Sequence, residues 1–374
     1  GAADGLLQEA YVTGVLEHPN VVPIYTLGRK TDGSPMIVMK RIEGVSWLDV
    51  LQDASKAPED QGDVDMAWHI RVLIQVCNAM RYAHSRGFIH RDIKPENVML
   101  GSFGEVYLLD WGIALDMGES GNSHLMSPLK SESKGLAGTP SYMAPEMTLD
   151  DAAEVDQRTD VYLLGAVLHE IITGQPKHLG DNFMVVMRNV NLSLPFDYGS
   201  DVAPELASIA NKATAREKVD RFQTVADLRD ALQDFLEHRN SVALSTAAQN
   251  RLAEFEQLLA HDHTDSETLL AIHDVSAQSK FGFQQAVEMW PENTNARAGL
   301  QTCLEMLIRH FIDTGNDIAA AAAYAELPTQ VPQLHTEIQG LKARREAEQA
   351  EIEGLRKLQH AADQTVGASQ RSIM

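Results

Sequence analysis

The chain has 374 residues, enough for two or three domains that each bury a core of their own. Its 53 acidic and 31 basic side chains give a formal net charge of -22, which argues against nucleic acid or an anionic membrane surface as a partner, because both would repel it. Only Cys77 and Cys303 occur, far apart and without metal-type spacing, so neither a disulfide framework nor a zinc site is expected and a reducing, cytoplasmic compartment fits. No apolar run approaches the length of a membrane span, so a membrane tether would have to lie beyond Met374.

The sequence opens on Gly1 and falls at once into an amphipathic helix over residues 6–16, ended by His18-Pro19-Asn20 because proline disfavours helix in the residue before it. With no strand ahead of that helix, a cut N-terminus is expected. Short β-rich runs follow over 21–27 and 35–42, separated by the turn-like Lys30-Thr31-Asp32-Gly33-Ser34. Met66, Ile70, Leu73, Val76, Cys77, Met80 and Ala83 recur at helical spacing over 66–86. Strands are expected over 98–100 and 106–109, then a polar, Gly- and Ser-rich stretch over 116–134, and helical patterns thereafter. A strand-rich start followed by a helical body implies an α+β domain with unequal lobes.

Near Ser241 the pattern turns almost wholly helical. Residues 279–327 read as alanine-rich helix pairs broken at Trp290-Pro291-Glu292-Asn293 and Thr314-Gly315-Asn316. Leu334, Ile338, Leu341, Ile352, Leu355 and Leu358 fall near heptad spacing, interrupted by Arg345 and Glu348, so a helical or coiled-coil tail is expected.

Three motifs carry the chemistry. They are His90-Arg91-Asp92-Ile93-Lys94-Pro95-Glu96-Asn97, then Asp110-Trp111-Gly112, then Gly138-Thr139-Pro140-Ser141-Tyr142-Met143-Ala144-Pro145-Glu146. Together, and in this order, they resemble the protein-kinase family in its bacterial serine/threonine branch. The resemblance implies a bilobal kinase fold, with ATP and Mg2+ as cofactors and protein substrates as partners. Phosphoryl transfer depends mainly on positioning and charge neutralisation. Asp92 would orient the substrate hydroxyl as base, Lys94 would offset charge on the γ-phosphate, and Asn97 and Asp110 would offer oxygens to Mg2+. A lysine at position 94 resembles the serine/threonine class.

The same resemblance assigns supporting roles. Glu9 matches the helix glutamate that pairs with a strand lysine. Met39 would be the gatekeeper, with the backbone of Lys40 and Ile42 bonding adenine and Met99 packing beneath it. Asp160 would hold the catalytic-loop backbone, and Arg221 would pair with Glu146 as a structural staple. Arg91 would receive a phosphate from the segment between Gly112 and Gly138, where Ser120, Ser123, Ser127, Ser131 and Ser133 are candidate acceptors. Thr139 would shape the site near Asp92 and Lys94.

The sequence departs from the family in two respects. No glycine-rich G-x-G-x-x-G loop and no V-A-I-K-type lysine precede the opening helix, so the first small-lobe strands are read as missing and weak or no activity is expected of this chain. Trp111 also replaces the usual phenylalanine, and Thr13 stands where that stack normally receives an apolar side chain, so a larger ring is expected to compensate for a smaller partner.

The expected organisation is therefore a kinase domain over 1–240 (partial small lobe 1–42, large lobe 43–240), a helical region over 241–330, and a helical or coiled-coil tail over 331–374. The spacing of Phe281, Phe283, Ala286, Pro291, Ala296, Leu300, Gly315, Ala319 and Tyr324 resembles one tetratricopeptide-type helix pair. Such a unit would present a groove to a peptide or protein partner, and a plain helical spacer is the equal alternative. A pseudokinase scaffold is the alternative to an active enzyme.

Overall fold

A computed structural model describes residues 2–58, 62–117, 137–149, 154–260 and 266–371. It divides into two compact units, Gly1–Leu236 and Glu237–Met374.

The first unit begins with helix α1 (Ala2–Val15), which buries Val12 while Leu16 just past its end joins the same core. The chain then forms an antiparallel hairpin of β1 (Ile24–Arg29) and β2 (Pro35–Met39). Both strands are shifted or shortened relative to the β-rich runs of the sequence. Pro23 lacks an N–H, and its carbonyl accepts the Lys40 N–H at 3.0 Å, which closes the ladder at Met39. Val21 makes a parallel bridge to Leu108 instead. The turn between them is held by Asp32, whose Oδ1 accepts Ser34 N–H at 2.9 Å, and by Gly33 at φ 83°.

Strand β3 (Gly44–Ser46) leads into helix α2 (Trp47–Gln52), capped by the Ser46 hydroxyl, which accepts the Asp49 N–H. Helix α3 (Met66–Ser85), capped by Asp65, supplies the apolar stripe read in the sequence: Ile70, Leu73, Val76, Cys77, Met80 and Ala83 are all buried. Strand β4 (Phe88–Ile89) follows, then β5 (Val98–Gly101), β6 (Val106–Leu108) and β7 (Leu115–Asp116). The strands pair as β3-β5-β6 and β4-β7, both antiparallel. Residues 90–97 thus run from β4, paired with β7, to β5 at the centre of the three-stranded sheet.

Helix α4 (Gln157–Thr173) begins in a capping box between Asp156 and Thr159 and is buried along nearly its whole length. Gly165 allows it to approach helix α6 (Pro204–Ala213); a Cβ there would stand 2.5 Å from that of Ala213. Helix α5 (Phe183–Leu192) lies between them in sequence, and the first turns of α7 (Val225–Leu259) complete the core with Leu228, Leu232 and Phe235.

The second unit takes the remainder of α7 with α8 (Ser266–Met289), α9 (Thr294–Asp313), α10 (Asp317–Ala325) and α11 (Pro332–Arg371). The breaks fall where proline, asparagine and glycine place them: Asn293 and Asn316 cap α9 and α10. Its core gathers Leu252, Phe255, Phe283, Leu300, Leu304 and Leu334. A cavity of about 410 Å³ opens among Leu269, Ile272, Leu307, Phe311, Ala319 and Ala323, and contains none of the motif residues. Among the described residues no helix is long and apolar enough to cross a membrane.

Candidate active site

Asp160, in the first turn of α4, pins the loop that follows β4. Its Oδ2 accepts the backbone N–H of His90 at 2.9 Å and its Oδ1 that of Arg91 at 3.0 Å. His84 Nε2 lies 2.8 Å from Oδ2. Arg91 has φ of 71°, a conformation that costs a non-glycine residue roughly 1–3 kcal/mol and persists only where its surroundings impose it. The Asp160 carboxylate supplies that constraint through two charge-assisted hydrogen bonds. The Arg91 guanidinium donates from Nε to the Ile113 carbonyl at 2.7 Å, and burial lowers its pKa to about 10.

The His90 ring orients the next step. Asp92 N–H donates to its Nδ1 at 3.2 Å, so Nδ1 carries no proton and Nε2–H donates to the Leu109 carbonyl at 3.1 Å. Burial lowers the His90 pKa against the pull of Asp160, Asp92 and Asp110, which agrees with a neutral ring. That ring lies against Trp111, with centroids 4.5 Å apart. One imidazole thereby links the catalytic-type loop to the Asp110-Trp111-Gly112 turn.

Three side chains converge on Asp92. Thr139 Oγ1 donates to Asp92 Oδ1 at 2.7 Å, and Lys94 Nζ stands 3.2 Å from Oδ2 while donating to Thr139 Oγ1 at 2.8 Å. Asn97 Nδ2 donates to the Asp92 carbonyl at 2.8 Å and to Oδ2 at 3.1 Å. Burial opposes the Lys94 charge, but Asp92 and Glu96 outweigh it and raise its pKa. The close approach of Thr139 needs Gly138: φ is 114°, and a Cβ would meet the Arg91 carbonyl at 2.9 Å.

With its amide nitrogen committed to Asp92, Asn97 keeps Oδ1 as an acceptor. Its carbonyl also accepts the Leu109 N–H at 2.8 Å, which brings Asp110 to the same end of the loop. Asp110 has φ of 60°, and its Oδ1 accepts the Gly112 N–H at 3.3 Å. Among the described residues there is no cluster of three or more His, Cys, Asp or Glu that could cage a metal. An amide oxygen and a carboxylate are donor types that fit Mg2+, which keeps much of its water and takes the rest of its shell from phosphate.

Helix α1 reaches this turn through Gln8, whose Nε2 donates to the Ala114 carbonyl at 2.8 Å. Burial, and then the negative Asp110, raise the pKa of the neighbouring Glu9, which forms no ion pair among the described residues. Trp111 and Thr13 are both buried, and the Trp111 indole N–H finds no acceptor among the described residues.

Behind the site, Arg221 clasps Glu146 with Nη1–Oε1 at 2.7 Å and Nη2–Oε2 at 2.8 Å. Thr159 donates to the same carboxylate at 2.8 Å, and the Ala215, Arg216 and Arg158 carbonyls accept the remaining guanidinium donors.

The adenine-side residues are arranged more loosely. Met39 ends β2 and is 38% exposed. The Lys40 N–H is already committed to Pro23, which leaves its carbonyl, and its amine donates to the Tyr107 hydroxyl while lying over that ring. Ile42 makes no backbone hydrogen bond among the described residues. Met99 is half-buried on β5, opposite Tyr107. The candidate phosphoacceptors Ser120, Ser123, Ser127, Ser131 and Ser133 lie outside the described residues.

A family model described as the protein kinase domain matches residues 2–263. The chain belongs to the protein kinase domain family. It is 34% identical over 229 residues to the serine/threonine-protein kinase PknB of Mycolicibacterium smegmatis, covering 59% of this chain and 34% of that protein. Against PknD of Protochlamydia amoebophila it is 31% identical over 281 residues, 69% of this chain and 28% of the relative. PknB of Mycobacterium tuberculosis is 32% identical over 228 residues, 59% and 34% respectively. The chain thus spans about a third of the length of these curated relatives.

Sequence reasoning overlooked two supports of this kinase site. Gln8 and His84 are polar helix residues whose partners, Ala114 and Asp160, lie far away in sequence, so no local pattern distinguishes them.

Proposed function

We propose that this kinase chain transfers the γ-phosphate of ATP to serine or threonine hydroxyls of proteins. The observation that carries the reading is the convergence of Thr139, Lys94 and Asn97 on the Asp92 carboxylate. A carboxylate held this way has one role to offer: it accepts a hydrogen bond from an incoming hydroxyl and takes its proton as the oxygen attacks phosphorus. Thr139 marks where such a hydroxyl stands, since its own hydroxyl already donates to Asp92. Lys94, charged and fixed against Asp92, places a cation where negative charge spreads over the transferring phosphoryl group. Asn97 Oδ1 and the Asp110 carboxylate would hold Mg2+, which neutralises phosphate charge when bound. Arg91, the Asp160 pin and the Glu146–Arg221 clasp keep this geometry without touching substrate.

Met39, the Lys40 carbonyl, Ile42 and Met99 form the adenine side in this reading. Glu9 is the ion-pair partner of a phosphate-anchoring lysine, and its raised pKa fits a carboxylate awaiting that cation. Residues 1–374 contain no V-A-I-K-type lysine and no glycine-rich loop, so taken alone they bind ATP weakly and transfer slowly. The domain organisation we infer is a kinase domain to about residue 240, a tetratricopeptide-like helical region to about residue 330, then a helical tail. Phosphoamino-acid analysis of the full-length protein after incubation with ATP and Mg2+ tests the reading. Phosphoserine or phosphothreonine is expected. Nucleotide binding with no transfer would favour a pseudokinase scaffold, a reading that Glu9, without an ion pair among the described residues, would then support.

A further inference from the structure

Helix α11 changes surroundings partway along its length. Leu334 and Ile338 are buried in the core of the second unit, and Arg345 Nη1 pairs with Asp317 Oδ1 at 2.5 Å. Past that point the described side chains are uncovered: Ile352 is 45% and Leu355 60% exposed. The heptad register nevertheless continues past Arg345 and Glu348, which interrupt its apolar seam. Leu334, Ile338, Leu341, Arg345, Glu348, Ile352 and Leu355 advance in alternating steps of four and three residues, and Gln359, Ala362 and Val366 extend the same register in the sequence. A helix that projects from its unit has no folding reason of its own to set Ile352 and Leu355 on one exposed face, because a lone helix is marginal in water.

We propose that a second copy of this chain pairs with that seam, forming a parallel two-stranded coiled coil along the outer half of α11. Two features select this occupant. On the outer half Ile352, β-branched, falls at the a position and Leu355 at d, the combination that favours parallel dimers, and Val366 takes a again in the sequence. The flanking charges agree. Glu351 falls at g and Arg356 at e of the next heptad, so parallel, in-register copies oppose Glu351 to Arg356 on both sides. An antiparallel pair faces g with g and e with e, so Glu351 and Arg356 would not meet across it. The outer face is already occupied within one copy, where Glu353 Oε1 pairs with Lys357 Nζ at 2.8 Å. Arg345 at a is withdrawn from the seam by Asp317, and Glu348 at d marks its inner limit.

Sedimentation of the full chain over a range of concentrations tests this. A reversible monomer–dimer equilibrium is expected, and the double substitution Ile352→Asp/Leu355→Asp should abolish it while leaving the helical circular dichroism of the second unit in place. Glu351→Arg alone and Arg356→Glu alone should each weaken association about tenfold, and together restore it. Singles that leave association unchanged would reject the parallel register. Leu355→Cys gives a direct reading. Both native cysteines are buried, so mild oxidation should crosslink two chains through the introduced thiol. A chain that stays monomeric throughout, or a dimer indifferent to Ile352 and Leu355, would overturn the proposal.

Discussion

Arg221 and Glu146 stand 75 residues apart in sequence and meet in a buried two-point clasp, Nη1–Oε1 at 2.7 Å and Nη2–Oε2 at 2.8 Å. The pair ties the end of the Gly138–Glu146 segment to the base of the first unit. Removing one partner leaves the other charged and enclosed, which costs roughly 3–5 kcal/mol. Arg221→Ala and Glu146→Ala should each lower the melting temperature by about 6–20 °C for a unit of this size. Differential scanning calorimetry checks it; a shift within a degree or two would show that the clasp stabilises nothing.

Thr139→Val removes the hydroxyl that bridges Asp92 and Lys94. Transfer should fall about tenfold to a hundredfold in kcat, with the KM for ATP little changed. Thr139→Ser should recover most of the loss. Steady-state kinetics with a protein substrate decides, and an unchanged kcat in Thr139→Val would remove Thr139 from the site.

Two buried histidines make the first unit acid-sensitive. Burial lowers His169 to about 4 and His178 to about 3, with Lys177 adding to both. His169 Nδ1 lies 2.9 Å from the Tyr198 hydroxyl, and His178 Nε2 lies 2.8 Å from that of Tyr162. The unfolded chain takes up these protons first, near pH 6.5, so it binds more protons than the folded chain at any pH between there and about pH 4. Stability is therefore complete above that window and is lost as pH falls through it, by up to about 1.4 kcal/mol per pH unit for each histidine. Urea denaturation along this range should show the slope, and His178→Gln should flatten it. A slope indifferent to both histidines would contradict the assignment.

Trp111 and Thr13 test whether a larger ring compensates for a smaller neighbour. Trp111→Phe removes an indole N–H that finds no acceptor among the described residues but leaves a gap, and Thr13→Leu alone adds bulk at a buried position. The double substitution should be more stable than the sum of the singles by about 0.5–3 kcal/mol. Trp111→Phe alone raising stability and activity together would reject the compensation.

Much of this was legible in the sequence because kinase chemistry is written in contiguous motifs. Asp92, Lys94 and Asn97 lie within six residues of one another, and a loop that short must bring them together once its ends are fixed. The helices of the second unit were equally legible, since Asn293 and Asn316 announce their starts. The hinge was less so: Lys40 reads as a strand continuation, yet Pro23 captures its N–H and ends the ladder. The heptads of α11 were visible, but only the burial of Leu334 beside the exposure of Leu355 separates the part that packs within one chain from the part that does not. His84 and Gln8 act across 76 and 106 residues, and no local pattern could have paired them with Asp160 and Ala114.

In the proposed reaction Asp92 is the group that receives the substrate proton. The most direct test is γ-phosphate transfer from ATP by the full-length protein, measured for the native chain and for Asp92→Ala with nucleotide affinity measured in parallel. Transfer to serine or threonine that falls by about a hundredfold or more, with ATP binding retained, is the expected result. Equal transfer by both proteins would contradict it.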